Sequence, residues 1–273
     1  MSLRLDVNIA RIVHLNWEME LEAMVAGRVH AHYMASQQDC ELGQWLRGRA
    51  LEQSGAGATL RALLAAHDRF HQAGDRIHQS LLHHKPASSP PDLNDVRQAS
   101  REIVLLLTQA ELEFADAQRP PLTSPVPAGS LFQRLFYGPH EAASERSGVL
   151  ELNYSRLVHL RWMLDLPEQF RHRGGEASLQ SAESCALGVW IQTTGLRKYG
   201  NMEEMRRLEV VHADFHQQAA AVVAALRHRR DRGADGAYAK ARELSAEVIY
   251  LLSLIEFRLL GDASIQRNAS IIG

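Results

Sequence analysis

The sequence predicts an all-α chain of two antiparallel four-helix bundles in tandem, packed together as an intrachain pseudo-twofold pair. Three observations carry this. The chain repeats itself at an offset of 145 residues. Apolar residues recur at helical spacing in both copies. No stretch alternates with the period of two that a half-buried strand requires.

The repeat is read directly. Arg11-Ile12-Val13-His14-Leu15-Asn16-Trp17 falls on Arg156-Leu157-Val158-His159-Leu160-Arg161-Trp162, and Cys40-Glu41-Leu42-Gly43-Gln44-Trp45 on Cys185-Ala186-Leu187-Gly188-Val189-Trp190. His67-Asp68-Arg69-Phe70-His71 falls on His212-Ala213-Asp214-Phe215-His216, and Ser100, Glu102 and Glu111 fall on Ser245, Glu247 and Glu256. One offset fits every match, so nothing is inserted between about residues 8 and 116. Two copies of a self-contained unit give two domains, since a solenoid usually needs at least three repeats. The expected organisation is a first bundle at 1–118, a linker at 119–147, a second bundle at 148–261 and a tail at 262–273.

Within the first copy, helices are expected at about 6–33, 40–53, 57–84 and 92–117; in the second, at about 148–173, 185–198, 201–230 and 236–260. Ile9, Val13, Trp17, Leu21 and Met24 form a helical stripe, as do Val96, Ala99, Ile103, Leu106 and Ala110. The latter set keeps its spacing in Ala241, Leu244, Val248, Leu251 and Ile255. Gly55, Gly57 and the Pro86 to Pro91 stretch supply breaks. Four amphipathic helices with short connections give an antiparallel bundle. The linker is rich in proline and therefore extended. It leads into a short helix at 130–138, whose Leu131, Phe132, Leu135 and Phe136 are expected to dock on the protein itself, because exposed Phe invites aggregation.

Composition narrows the function. Lys and Arg number 30 against 32 Asp and Glu, a net charge of −2, which argues against a nucleic-acid surface. No apolar run reaches the length of a membrane span. The charged N-terminus lacks the apolar stretch of a signal peptide, so the cytoplasm is the expected location. Cys40 and Cys185 are too few for a disulfide scaffold. Histidine, at 14 of 273 residues, is about twice ordinary usage, and His is the commonest metal ligand.

Six of those histidines and both cysteines recur at fixed spacing. His14 to Cys40 is 26 positions, Cys40 to His67 is 27 and His67 to His71 is 4; His159, Cys185, His212 and His216 repeat those intervals. A spacing of four puts two imidazoles on one helix face, close enough to reach one ion. The other two ligands come from two other helices. Three His and one Cys are a tetrahedral zinc set, and thiolate with imidazole disfavours Mg²⁺ and Ca²⁺. The eight remaining histidines have no matching His in the other copy, so the duplication alone does not account for which ones recur. Each Cys sits where a helix begins, with Asp39 or Ser184 before it as the expected N-cap. The helix terminus is expected to lower the thiol pKa. Gly43 and Gly188 are expected to permit close helix approach; Trp45 and Trp190 to cover the sites or pack in the core; and Trp17, Trp162, Phe70 and Phe215 to be core.

His-x-x-Trp, Cys-x-Leu-Gly-x-Trp and His-x-x-Phe-His together resemble the chemoreceptor zinc-binding domain of bacteria, over about residues 6–117 and 148–261. The resemblance implies a helical bundle that binds zinc through His14, Cys40, His67 and His71, and again through His159, Cys185, His212 and His216. It also implies a tendency to dimerise. In that family the domain usually regulates an attached chemoreceptor signalling region or diguanylate cyclase, with zinc or oxidation of the zinc-bound thiolate as input. Here no residues are left for an output domain, so the expected role is regulation of a signalling partner in trans. The alternative is a structural zinc scaffold or buffer. An enzyme is not expected: the second copy of His-x-x-x-His has Ala213 where the first has Asp68, neither carries the Glu of a metalloprotease, and four protein ligands leave no place for a substrate water.

Overall fold

A computed structural model describes residues 7–30, 35–47, 57–83, 90–117, 147–172, 179–227 and 231–272. Residues 118–146, which include the 130–138 segment and nearly all of the Pro-rich linker, lie outside them. The described residues contain helices and connecting turns and no strand. The first unit holds α1 (Val7–Val25), α2 (Glu41–Trp45), α3 (Ala58–Leu82) and α4 (Pro90–Ala117). The second holds α5 (Ser147–His172), α6 (Ala186–Trp190), α7 (Leu196–Tyr199), α8 (Glu203–Arg227) and α9 (Asp231–Ile272). Three long helices and a short N-terminally capped one recur in both units; among the described residues α7 is present in the second alone. None of the described helices is long and apolar enough to cross a membrane.

Three boundaries differ from the sequence expectation. Helix α1 stops at Val25 instead of continuing to 33. Gly27 adopts φ +66° there; its N–H bonds the Met24 carbonyl and the Arg28 N–H reaches back to Ala23. That is a Schellman ending, which needs a residue free to take positive φ. The segment expected as one helix over 185–198 is α6, a π-helical turn at Ile191–Gly195 and then α7. Helix α9 continues through the region expected to be a tail.

The long helices of the first unit close on Leu21, Leu63, Phe70, Ile77 and Ile103, all fully buried. Those of the second close on Leu152, Leu208, Val248 and Leu252. The α4 stripe is buried throughout, as the spacing requires. The α1 stripe is not: Ile9 is 52% exposed, while Arg11, His14, Leu15 and Glu18 form the buried face.

The units touch each other through α4 against α5 and α9, and through α1 against α9. An apolar cluster there draws Leu15 and Val104 from the first unit and their repeat counterparts Leu160 and Ile249 from the second. Each such side chain buried contributes about 1.5–3 kcal/mol. Beside it lies a polar network built the same way. Arg11 and Arg156, both 0% exposed, pair with Glu111 and Glu256 of their own units. Between them, Asn153 Oδ1 accepts from Arg156 Nη2 (3.0 Å) and from Arg11 Nη1 (3.4 Å), while Asn8 Oδ1 accepts from Arg11 and from Arg156 Nη2 (3.5 Å). Asn153 Nδ2 donates to Glu111 Oε1 at 3.2 Å. Asn8, Arg11 and Glu111 are the counterparts of Asn153, Arg156 and Glu256.

Other ties across this contact have no counterpart. Tyr250 Oη donates to Glu18 Oε1 at 2.7 Å, and Arg101 stacks over the Tyr250 ring at 4.9 Å. Burial pushes the Glu18 carboxyl up to about 7. Arg161 pairs with Asp116 at 2.5 Å. The corresponding positions hold Met163, Leu105, Ala246, Asn16 and Gly261.

Candidate metal centres

The first site is assembled from α1, the start of α2 and α3. His14 on α1 is 1% exposed and donates from Nδ1 to the Ala10 carbonyl at 2.8 Å. This leaves Nε2 as the lone-pair atom; it is buried without a hydrogen-bond partner. His67 and His71 sit one turn apart on α3, with ring centroids 4.6 Å apart. His67 Nε2 lies 3.0 Å from Cys40 Sγ, and His71 Nε2 is buried without a partner. One donor atom from each of His14, Cys40, His67 and His71 lies within 4.8 Å of all the others.

Cys40 is itself the N-cap of α2. Its Sγ accepts from the Gly43 N–H at 3.2 Å. Cys185 caps α6 in the same manner, accepting from the Gly188 N–H at 3.3 Å. Asp39 and Ser184, expected as caps, belong instead to the turn that delivers the Cys. That turn is opened by Ser36 or Ser181, whose carbonyl accepts from the Cys N–H at 3.0 and 3.1 Å. Ser36 recurs as Ser181 at the same 145-residue offset, the sequence signal that marks this turn.

The two glycines follow from this geometry. A Cβ on Gly43 would collide with the Gln37 carbonyl oxygen, and one on Gly188 with that of Ala182. The tightest approach is thus between α2 or α6 and its own preceding turn; at Gly43 the His67 ring of α3 also lies within 3.1 Å of where a Cβ would stand. Gly43→Ala is expected to push the Cys40 turn away. Residues that hold ligands in place are worth about 10–100-fold in metal affinity. A loss on that scale at the first site, read by competitive zinc titration, is expected; unchanged affinity would contradict the packing argument.

Electrostatics at the site run against charge. Burial lowers His14 to about 4, and lowers His67 to about 2 with help from the neighbouring histidines and Arg47. His71 falls to about 4, again chiefly through burial. The imidazoles are therefore neutral at physiological pH, the form that binds a metal. The thiol departs from expectation. Burial pushes Cys40 up and outweighs the Gly43 and Leu42 amides that favour thiolate; Cys185 behaves alike. The helix terminus lowers a thiol pKa only where desolvation does not overwhelm it.

In the second site, Cys185, His212 and His216 bring donor atoms within 4.8 Å of one another. Cys185 Sγ is 3.3 Å from His212 Nε2, and His216 Nδ1 donates to the Gln180 carbonyl at 3.0 Å. His159 lies outside that group. Its ring is 6.1 Å from that of His212 and stacks nearer Phe215, at 4.5 Å. It is 5% exposed, and its Nε2 has no hydrogen-bond partner.

The aromatic neighbours are also redistributed. Trp17 and Trp162 lie against His71 and His216, with centroids 5.3 and 5.4 Å apart. Trp45, by contrast, packs on the core and edge-on to Phe114 at 6.4 Å. Trp190 packs on the second core.

The residues fit zinc. The donor set is soft and nitrogen-rich, the imidazoles are desolvated, and in the first site the His14 and His71 Nε2 atoms converge on the Cys40–His67 pair without hydrogen-bond partners of their own. With four buried protein donors per ion, the first site would be closed. A family model described as the chemoreceptor zinc-binding domain matches twice, over residues 14–78 and 159–223. Comparison with curated proteins and with solved structures found no match. Each matched segment spans three of its unit's four metal-site residues and begins on the remaining one, His14 or His159. The chain thus carries two tandem matches to the chemoreceptor zinc-binding domain, at residues 14–78 and 159–223.

Proposed function

We propose that this chain is a regulatory module that acts on a separate signalling protein, of a chemoreceptor or diguanylate cyclase pathway in the cytoplasm. Zinc, or the oxidation state of the zinc-bound cysteine, is its input. The observation that carries the reading is the convergence of the His14, Cys40, His67 and His71 donor atoms within 4.8 Å, buried and with the His14 and His71 Nε2 atoms unpartnered. When bound, zinc stabilises the thiolate that burial otherwise disfavours. His14 then ties α1, Cys40 ties α2, and His67 with His71 tie α3, so loss of His14 or Cys40 frees its own helix from the metal. The contact between units draws on counterpart residues from both, which supports pairing of the two bundles within one chain about a local twofold axis. Tethering by the linker raises the effective concentration of such a pair.

Protein expressed with ample zinc is expected to carry two equivalents per chain. His71→Ala and His216→Ala are each expected to remove one and leave the other. Stoichiometry of one or none in the unaltered chain would remove the basis of the reading. Hydrogen peroxide is expected to speed zinc release, as followed with a chromogenic chelator. Release no faster than in buffer would favour the second reading, a structural scaffold. That reading draws support from Cys40, which is 4% exposed and shielded from oxidants.

A further inference from the structure

We infer that the two metal sites are not equivalent: the first is a preorganised, slowly exchanging site, and the second is the one through which the chain gains and loses metal. The inference rests on the zinc reading above and on the residues that hold the ligands in place as well as on the ligands themselves.

In the first unit, the turn that carries Cys40 is fastened to α3. Arg47 Nη1 donates to the Gln37 carbonyl at 3.2 Å, and Nη2 pairs with Asp68 Oδ1 at 2.9 Å. The Gln37 side-chain amide sits between the same pair, 3.2 Å from each; with its nitrogen turned towards Asp68 it donates there and accepts from Arg47. Asp68 directly follows His67, so this fastening holds the Cys40 turn against the helix that supplies two ligands. The His14 ring is separately fixed by its Nδ1 bond to Ala10.

The second unit has lost every part of this device. The counterparts of Gln37, Arg47 and Asp68 are Ala182, Gln192 and Ala213. Alanine offers no side-chain hydrogen bond, and Gln192 instead donates to Glu209 at 2.9 Å. The Cys185 turn is held by Ser181 with Ser184, and by the His216 to Gln180 bond. His216 is half-buried where His71 is buried, and His159 stands outside the donor group, against Phe215.

Metal leaves a chelate one ligand at a time. A turn held in place recaptures the ion before a second bond breaks; a turn that swings away lets solvent or a competing ligand in. In the second site, His159 must also turn from its place against Phe215 to bind. Immobilising such a side chain weakens binding, so the second site is expected to exchange about two- to tenfold faster.

The test uses the full chain loaded with zinc and mixed with excess 4-(2-pyridylazo)resorcinol. Two phases of equal amplitude are expected, with Cys185→Ser abolishing the fast one. Asp68→Ala with Arg47→Gln is expected to accelerate the slow phase towards the fast rate. Building the fastening into the second unit, as Ala182→Gln, Gln192→Arg and Ala213→Asp together, is expected to slow the fast phase. Unchanged helical circular dichroism separates these effects from unfolding. A single phase releasing two zinc ions, or loss of the slow phase in Cys185→Ser, would overturn the inference and leave the zinc reading intact. A chain that takes up no zinc would instead overturn the zinc reading.

Discussion

Replacing Glu256 with Leu is expected to lower the melting temperature of the full chain by about 10 °C. The carboxylate is 2% exposed and lies 2.6 Å from Arg156, which is itself 0% exposed. Removing one member of a buried ion pair leaves an uncompensated charge and costs about 3–5 kcal/mol. For a chain of this size each kcal/mol shifts the midpoint by about 2–4 °C. Burial together with the neighbouring Arg156 already lowers Arg11 to about 10, a sign that these guanidiniums lack solvent. The paired change Arg156→Met with Glu256→Leu is expected to recover most of the loss, because a well-packed apolar pair can replace a buried ionic one at little cost. Calorimetry on the three proteins reads both effects. A double variant no more stable than Glu256→Leu would show that the cost lies elsewhere in the network.

Removing zinc is expected to make the chain unfold in mild acid. Without metal, the desolvated histidines are held neutral only by the fold: His14, His71 and His212 titrate near 4 and His67 near 2, each at most 5% exposed. In the unfolded chain they titrate near 6.5. The unfolded state therefore binds more protons, and stability falls as pH drops below about 6.5 and continues to fall towards the folded values. At pH 5.5 each histidine contributes about 1.4 kcal/mol less than at alkaline pH, or about 5–6 kcal/mol for the four. That is comparable with the whole stability of a typical domain. Chelator-treated protein should show a circular dichroism midpoint rising steeply between pH 5.5 and 7. Zinc-loaded protein should hold its midpoint until acid displaces the metal. A metal-free midpoint flat across this range would mean the imidazoles are not desolvated.

The metal-site residues were legible because chemistry and repetition coincided: His14, Cys40, His67 and His71 recur with their spacing intact while other histidines do not. The α4 stripe was legible because its neighbours are apolar. On α1 the reading failed for a physical reason. Apolar spacing selects Ile9, Val13 and Trp17, but the buried face carries Arg11 and Glu18, which are tolerated because they are paired: Arg11 with Glu111 of its own unit and Asn153 of the second, Glu18 with Tyr250 of the second. Gly27 signalled the end of α1, yet the apolar and helix-forming residues beyond it masked the stop. The role of Cys40 as cap could not be read from propensity, because Ser, Asp and Asn are the residues expected there. Nor does spacing say which rings turn towards a site, so His159 stands apart from its neighbours despite an identical interval.

The Glu18–Tyr250 bond has one further consequence. Its mirror positions carry Met163 and Leu105, so the two halves have exchanged polarity in a complementary way. Under the local twofold proposed above, two first halves placed face to face would set Glu18 against Leu105 on both sides, with no hydroxyl to meet either carboxylate. Two second halves would leave both Tyr250 hydroxyls against Met163. Each half has become a left hand that fits only a right one. Deleting either half would deprive Glu18 or the Tyr250 hydroxyl of its partner across the contact.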